Sequence, residues 1–430
     1  TFDGSGNTLT LDTITGYPGF ITTHNGVSYS ANIVVQNFTT DTSGNSTLAS
    51  NAGWLCQLYF GRATSGNEIN GCTNHGAISG DSISANAGGI TGSGTGSVSG
   101  SALITNCTNT GDISGGSAGG IAGANTGSST SSSSVIFTNC TNTGDISGNY
   151  AGGIAGIYSG YSGGSVGFTN CTNTGNISGQ YAGGIAGYGV ANGNNNPTLA
   201  TFTSCTNTGQ VSGNDTGGIA GSSTESDSGS ATIANCINTG IISGDRAGGI
   251  VGSEFGRNTI TTSSISNCYS IGSINGDNAG GIVGGNIGST SNPVINISNS
   301  YSLGDIATTC GGICGGVPLV FPPYSGTPTI NITNCYSWGA ITGTGSGIVA
   351  TSLQSSSATI NQNDIYVANG SWSDASANAV GALTGFPTDI STNNPGTTWT
   401  TIASNTPYVL SLYNAQLYSP NSASSSSNYT

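Results

Sequence analysis

Positive charge is almost missing from this chain. Its 430 residues include only three of Lys and Arg, all arginine (Arg62, Arg246, Arg257), against 17 acidic residues, for a formal net charge of −14. Nucleic acids and anionic membranes are bound through basic patches, so neither is expected as a partner. Methionine is absent, and histidine occurs only at His24 and His75. No cluster with zinc-ligand spacing accompanies them, so no metal and no cofactor is expected. No apolar run approaches the roughly 18 residues of a membrane-spanning helix, so no membrane span is expected. Charged residues make up 5% and glycine 74 positions, which without a period would indicate low complexity.

A period is present. A unit of 31 to 35 residues recurs nine times, clearest over 139–156 as Asn-Cys-Thr-Asn-Thr-Gly-Asp-Ile-Ser-Gly-Asn-Tyr-Ala-Gly-Gly-Ile-Ala-Gly. When the units are aligned on Cys72, Cys107, Cys140, Cys171, Cys205, Cys236, Cys268, Ser300 and Cys335, Gly stands four places on and Ile or Val six places on, without exception. A second apolar column is the Ile of Gly-Gly-Ile (Ile90 to Ile313), and a third lies three places before the Cys (Ile104 to Ile332). Three short apolar segments per unit, separated by Gly or Asn turns and lacking a helical period, predict three short strands per turn. The expected fold is all-β, a β-solenoid of about nine coils. At about 4.8 Å per coil the repeats make a rod core of roughly 40 Å. The expected organisation is an N-terminal β cap over 1–65, solenoid repeats over 66–350, and a C-terminal cap or docking segment over 351–430 with a Ser-rich tail. Because the chain starts at Thr1 without an initiator Met, removal of a leader and export are also expected.

Strand alternation assigns directions. If the Cys column points inward, so does the residue two places on: Asn74, Asn109, Asn142, Asn173, Asn207 and Asn238, then Ser270, Ser302 and Ser337. Stacked Asn side chains are expected to hydrogen-bond from coil to coil and to satisfy turn backbone groups. The eleven Cys are expected to form a buried ladder of mostly free thiols rather than bridges, because stacked side chains run parallel. The positions one and three beyond the Cys should face outward. They read Thr108/Thr110, Thr141/Thr143, Thr172/Thr174 and Thr206/Thr208, then turn apolar as Tyr269/Ile271, Tyr301/Leu303 and Tyr336/Trp338. A large apolar patch of that kind marks a contact. We expect it to be covered by the aromatic segment between Trp372 and Tyr418 or by a neighbouring subunit.

Two further features carry candidate binding residues. One column before the Gly-Gly element places Tyr150 over Tyr181 and Asp215 beside Arg246. Unit length varies almost only after Gly-Gly-Ile-x-Gly, where inserts containing Tyr158, Tyr161 and Tyr188 leave one edge of the rod. In solenoids such an edge is often the binding face. Stacked exposed aromatics suit sugar rings, so these five tyrosines are the candidate glycan contacts.

The units Asn-Cys-Thr-Asn-Thr-Gly-Asp-Ile-Ser-Gly and Ala-Gly-Gly-Ile-Ala-Gly, with Asn-Cys-Tyr-Ser and Cys-Gly-Gly-Ile-Cys-Gly as later variants, resemble GLUG-type repeats of bacterial surface proteins and adhesins. They also resemble repeat proteins of giant DNA viruses. The resemblance covers about two thirds of the chain. It implies a right-handed parallel β-helix on a cell or particle surface and supplies no catalytic residues. Glycoside hydrolases need two carboxylates within about 10 Å. Asp112 and Asp145 stack, but Asn176 and Gln210 follow in that column. Glu225 and Asp227 share an insert, and only at Glu254 and Arg257 do acid and base meet. A non-enzymatic structural or adhesive surface protein is therefore expected, whose partners are further copies, neighbouring surface proteins or glycans. The alternative is ice binding through the Thr-x-Thr face.

Overall fold

The computed structural model describes residues 1–337 apart from 23–28, 44–45, 79–85, 130–131, 258–260, 289–291, 308 and 317–326, then 339, 348–350, 359–363, 366–367, 378–379, 399–401 and 408–410. Two parallel sheets run along a β-solenoid, one of 12 strands and one of 13, and no helix occurs among the described residues. A two-stranded antiparallel pair, Trp399–Thr401 with Tyr408–Leu410, lies outside both sheets.

Each coil is built the same way, for reasons that can be followed through one unit. The strand Ser134–Thr138 alternates, with Val135 and Phe137 buried and Ser134 and Ile136 exposed. It pairs in register with Ser101–Thr105 on one side and Ser165–Thr169 on the other. That register places Phe137, Phe168 and Phe202 in a stack with ring centroids 5.1 and 4.9 Å apart. The chain then turns at the residue before the Cys. Asn106, Asn139 and Asn170 have φ of 54°, 54° and 53° there, a left-handed conformation that Asn tolerates better than most residues. Their exposed amides link up the rod, Asn139 Nδ2 donating to Asn106 Oδ1 at 3.2 Å and Asn170 Nδ2 to Asn139 Oδ1 at 3.3 Å.

The second sheet begins just after the turn, with two-residue strands such as Thr141–Asn142. Its inward Asn column forms the expected ladder. Asn142 Nδ2 donates to Gly144 O and to Asn173 Oδ1, each at 2.7 Å, and Asn142 Oδ1 accepts from Asn109 Nδ2 at 2.7 Å. The ladder runs from Asn74 to Asn238 and ends on Ser270 Oγ at 3.2 Å. Every Asn in it is fully buried, so its hydrogen bonds replace water outright.

The stretch from the Ile six places after the Cys through Gly-Gly-Ile, expected as a strand, is not one. Ile146 pairs with Ile113 and Ile177, Gly152 with Gly119 and Gly183, and Ala155 with Ala122 and Ala186, all as isolated parallel bridges. The glycines bring the backbones so close that a Cβ on Gly120 would stand 2.0 Å from Gly153 O and 3.0 Å from Asn142 Oδ1. The amide ladder thus meets the Gly-Gly segment across the interior. Two apolar columns result, one containing Phe137, Cys140 and Ile154, the other Ile146 and Ala151.

All eleven cysteines are buried thiols outside any disulfide. Burial pushes the Cys335 thiol up to about 12 and Cys310 up to about 11, so both stay protonated and act as small apolar groups.

At the ends the structure departs from the sequence boundaries. The described residues of 1–65 form coils of the same stack: Phe2 pairs with Val35 and Val35 with Ile69, while Leu9 pairs with Thr40 and Thr40 with Asn74. By the same register Asn37-Phe38-Thr39-Thr40 occupies the place of Asn-Cys-Thr-Asn, with Asn37 at φ 55° and Thr40 Oγ1 donating to Asn74 Oδ1 at 2.9 Å. Beyond residue 350 both sheets continue, Thr359–Asn363 pairing with Thr329–Thr333 and Tyr366–Val367 with Tyr336–Ser337. Trp338, Trp372, Tyr413 and Tyr418 lie outside the described residues, as does the side chain of Tyr336.

The outer face of the second sheet also differs from the alternation argument. Thr108, Thr141, Thr172 and Thr206 are half-buried at the first outward position, but Ile237 is 5% exposed and Tyr269 and Tyr301 are 0% exposed at the same position. Leu303 is buried and Ile271 half-buried. The Tyr269 and Tyr301 rings stack at 4.8 Å and 3°. Pleating sets only the direction of a side chain; what covers it comes from elsewhere in the chain.

Candidate binding groove

The inserts after Gly-Gly-Ile-x-Gly begin with an ordered device absent from the sequence reading. A four-residue turn follows in coil after coil, and the N–H of its fourth residue donates to the carbonyl of its first: Arg62 to Tyr59, Ser128 to Asn125, Asn192 to Gly189 and Arg257 to Glu254. The first residue is in the left-handed region each time, with φ of 66° at Tyr59, 58° at Asn125, 59° at Tyr158, 69° at Gly189, 54° at Ser223 and 58° at Glu254. Turns stack because the first residue's N–H also bonds the next coil, as from Tyr158 to Tyr188 O (2.9 Å) and from Ser223 to Ser253 O (2.9 Å).

These turns bring the five candidate tyrosines together. Tyr150 and Tyr181 stack at 5.5 Å and 4°, as their column predicts. Tyr188 stands edge-on to Tyr150 (5.4 Å), Tyr158 (5.8 Å) and Tyr181 (5.9 Å), and Tyr158 touches Tyr161 at 5.0 Å. Gly189 makes room for this: a Cβ there would fall 2.7 Å from Tyr158 Cδ1. Beside the cluster an open groove of about 520 Å3 is lined by Tyr158, Tyr188, Asn192, Ser223, Ser226, Asp227 and Arg257. The volume lies within the range of about 300–1,000 Å3 usual for small-ligand sites. Burial raises the Tyr158 and Tyr181 phenols above their ordinary value, so both remain neutral hydrogen-bond donors at physiological pH.

Two arginines on this edge are each held by a carboxylate. Arg257 Nη1 donates to Glu254 Oε2 at 2.8 Å, and Ser223 Oγ donates to the same oxygen at 2.8 Å. Arg246 meets Asp215 as the column argument predicts, in a two-pronged contact of Nε to Oδ1 (2.7 Å) and Nη2 to Oδ2 (2.6 Å). The third arginine, Arg62, lies over the rings of Tyr59 (4.3 Å) and Tyr29 (5.5 Å). The sequence reading singled out the tyrosines, Glu254 and Arg257. It missed Asn192, Ser223 and Ser226, whose only signal is their turn position: Asn192 closes the turn that Gly189 opens, and Ser223 and Ser226 stand three apart in the turn of the next coil.

Beneath the groove lies a charge-bearing side chain out of place. Glu225 stands where neighbouring coils have Gly160, Ala191 and Gly256, in the left-handed region (φ 57°) and fully buried. Its Oε2 accepts from Ala231 N at 3.0 Å, and burial holds its pKa well above the usual carboxylate value. The native state therefore binds this proton more tightly than the unfolded chain. Its contribution is greatest below the unfolded pKa of about 4.3 and falls by about 1.4 kcal/mol per pH unit until the raised folded value is reached. Glu225→Gln, a mimic of the protonated form, should match the parent in thermal unfolding near pH 4 and exceed it increasingly toward pH 8. Parallel curves across that range would mean that Glu225 is not buried as described.

The Thr-x-Thr face differs from the expected array in one respect. The first threonines are in strand register, Thr141 pairing with Thr108 and Thr172, and Thr172 with Thr206. The second threonines, Thr110, Thr143, Thr174 and Thr208, are exposed as expected but lie one residue beyond the two-residue strands, so the flat sheet carries one row of Thr and not two. The chain is already bending there toward the Gly that follows, and what keeps the second row aligned is its backbone: Thr110 N donates to Asn74 O at 2.8 Å and Thr208 N to Asn173 O at 2.9 Å. Nor is every hydroxyl of that row open to a surface ligand, since Thr110 Oγ1 is bonded to His75 Nδ1 at 2.7 Å. The exposed carboxylates Asp112 and Asp145 flank the face, Asp145 N donating to Asp112 Oδ1 at 3.0 Å. Among the described residues no group of three or more His, Cys, Asp or Glu is placed to share a metal ion. Nor is any helix among them long and apolar enough to cross a membrane.

No protein-family model, curated protein or solved structure matches this chain.

Proposed function

We propose that this protein is a non-enzymatic binding rod of a cell or particle surface that grips glycans along its turn edge. The observation that carries the reading is the clustering of Tyr150, Tyr158, Tyr161, Tyr181 and Tyr188 beside a groove that Tyr158 and Tyr188 line together with polar side chains. Sugar rings offer apolar faces to aromatic rings and hydroxyls to Asn, Ser, Asp and Arg side chains, and this groove holds both kinds of partner. A rigid solenoid, with its interior bonded coil to coil, suits a surface role in which the site is held at a fixed distance from its support.

The test is a panel of soluble oligosaccharides titrated against the protein. Tyr188→Ala removes the ring that touches three others, each such contact contributing about 0.5–1.5 kcal/mol, and should weaken binding by about tenfold or more. Retained affinity in a folded Tyr188→Ala protein would take the site elsewhere. Turnover of a polysaccharide that vanished in Glu254→Gln would make the protein an enzyme instead. The registered row of Thr108, Thr141, Thr172 and Thr206 favours a second reading, ice binding. Thermal hysteresis abolished by Thr141→Lys with Thr172→Lys would put that reading first.

A further inference from the structure

Resting on that reading of the groove, its charge arrangement narrows the ligand class. We propose that the groove selects neutral, polyhydroxylated chains over acidic ones, and that Glu254 is the residue that sets this preference. An arginine in a sugar-binding groove ordinarily invites a carboxylate, as in a uronate, through a two-pronged hydrogen bond. Here Arg257 is already engaged by Glu254 at 2.8 Å. Glu254 is itself held in place, by Ser223 Oγ at 2.8 Å and by its own N–H, bonded to Gly285 O at 2.9 Å.

Asp227 is the carboxylate among the groove's lining residues, and with Glu254, bonded to the lining Arg257, counted beside it the acids outnumber the base by two to one. The other cation on this edge, Arg246, is taken up by Asp215, whose side chain is only 4% exposed. An incoming carboxylate would therefore meet a groove of net negative charge on a chain of formal charge −14. Hydroxyls suffer no such repulsion. They can donate to Asp227 and accept from Arg257 N–H groups not directed at Glu254, since a guanidinium carries several donors in a fork.

Selectivity is tested by titrating neutral glucan, mannan and galactan oligosaccharides and an oligogalacturonate against the parent, Glu254→Gln and Asp227→Asn, with folding of each checked by circular dichroism. The parent should prefer a neutral chain. Glu254→Gln should raise oligogalacturonate affinity, relative to that for neutral chains, by about tenfold, the scale of one charge-assisted hydrogen bond. Asp227→Asn should move the preference the same way by a smaller factor, and it serves alone if Glu254→Gln does not fold. If the parent binds oligogalacturonate as tightly as any neutral chain, or if the folded variants keep the parent's preference, the selectivity proposal is wrong while glycan binding stands. If no oligosaccharide of either charge binds, the glycan reading itself falls and the selectivity with it.

Discussion

Asn142→Ala should lower the unfolding free energy by at least about 3 kcal/mol, because it strands three buried groups that each cost about 1–3 kcal/mol when left without a partner. The three are Gly144 O and Asn173 Oδ1, which lose their donor, and an N–H of Asn109 Nδ2, which loses its acceptor. The site is fully buried, so water cannot substitute without opening the coil. Domains are typically stable by only about 5–15 kcal/mol, so such a loss is a large fraction of the whole. One position further on, Thr143 is exposed, and Thr143→Ala should shift stability by less than about 0.5 kcal/mol. Urea unfolding of the two variants side by side gives the comparison. Similar midpoints for both would show that the amide ladder contributes little. In a solenoid, where each coil contacts only its neighbours, the damage should also be local. Hydrogen exchange should accelerate first at the coils carrying Asn109, Asn142 and Asn173.

Removing residues 380–430 should convert a well-behaved protein into one that self-associates. Tyr269 and Tyr301 are 0% exposed although they occupy the position that is half-buried at Thr141, Thr172 and Thr206. Something therefore lies across the outer face there, and the aromatic stretch that follows the last strands of the two long sheets is the expected cover. Full burial of a large apolar side chain is worth about 1.5–3 kcal/mol, so uncovering two stacked rings together with Leu303 and Ile237 leaves an apolar patch that a second copy would bury. Light scattering and binding of a hydrophobic dye should both rise in the shortened protein. A truncated chain that stayed monodisperse, bound no dye and kept its tyrosine fluorescence would rule this out.

Much of the rod was readable as columns. The Gly four places after each Cys, the Ile or Val six places after, and the inward Asn predicted the parallel stacking of coils and the amide ladder, because each is a side-chain identity that the interior demands in every coil; of the three strands expected per turn, two are strands. Tyr150 over Tyr181 and Asp215 against Arg246 followed from the same alignment. Residues 1–65 escaped it because Phe38 and Thr40 stand where later coils have Cys and Asn. Backbone pairing accepts any inward residue of suitable size, whereas a repeat search sees only identities. Alternation gave the outward direction of Thr110 and Thr208, which are exposed, but not the residue at which the strand ends. The Gly-Gly segment looked like a strand and is a row of single bridges, since glycine's lack of Cβ permits an approach too close for ordinary pleating.

The architecture follows from the residues alone, since a period of 31 to 35 residues with Gly, Asn and β-branched positions in strict columns leaves one way to bury them. The groove exists only through folding. Its walls come from separate turns, with Tyr158, Tyr188, Ser223 and Arg257 on successive coils and neighbours only because stacking places those coils side by side. Repetition specifies what each coil must share with the next, and a binding site is made from what it does not share. That part of the sequence follows no period and becomes legible only when the coils are stacked.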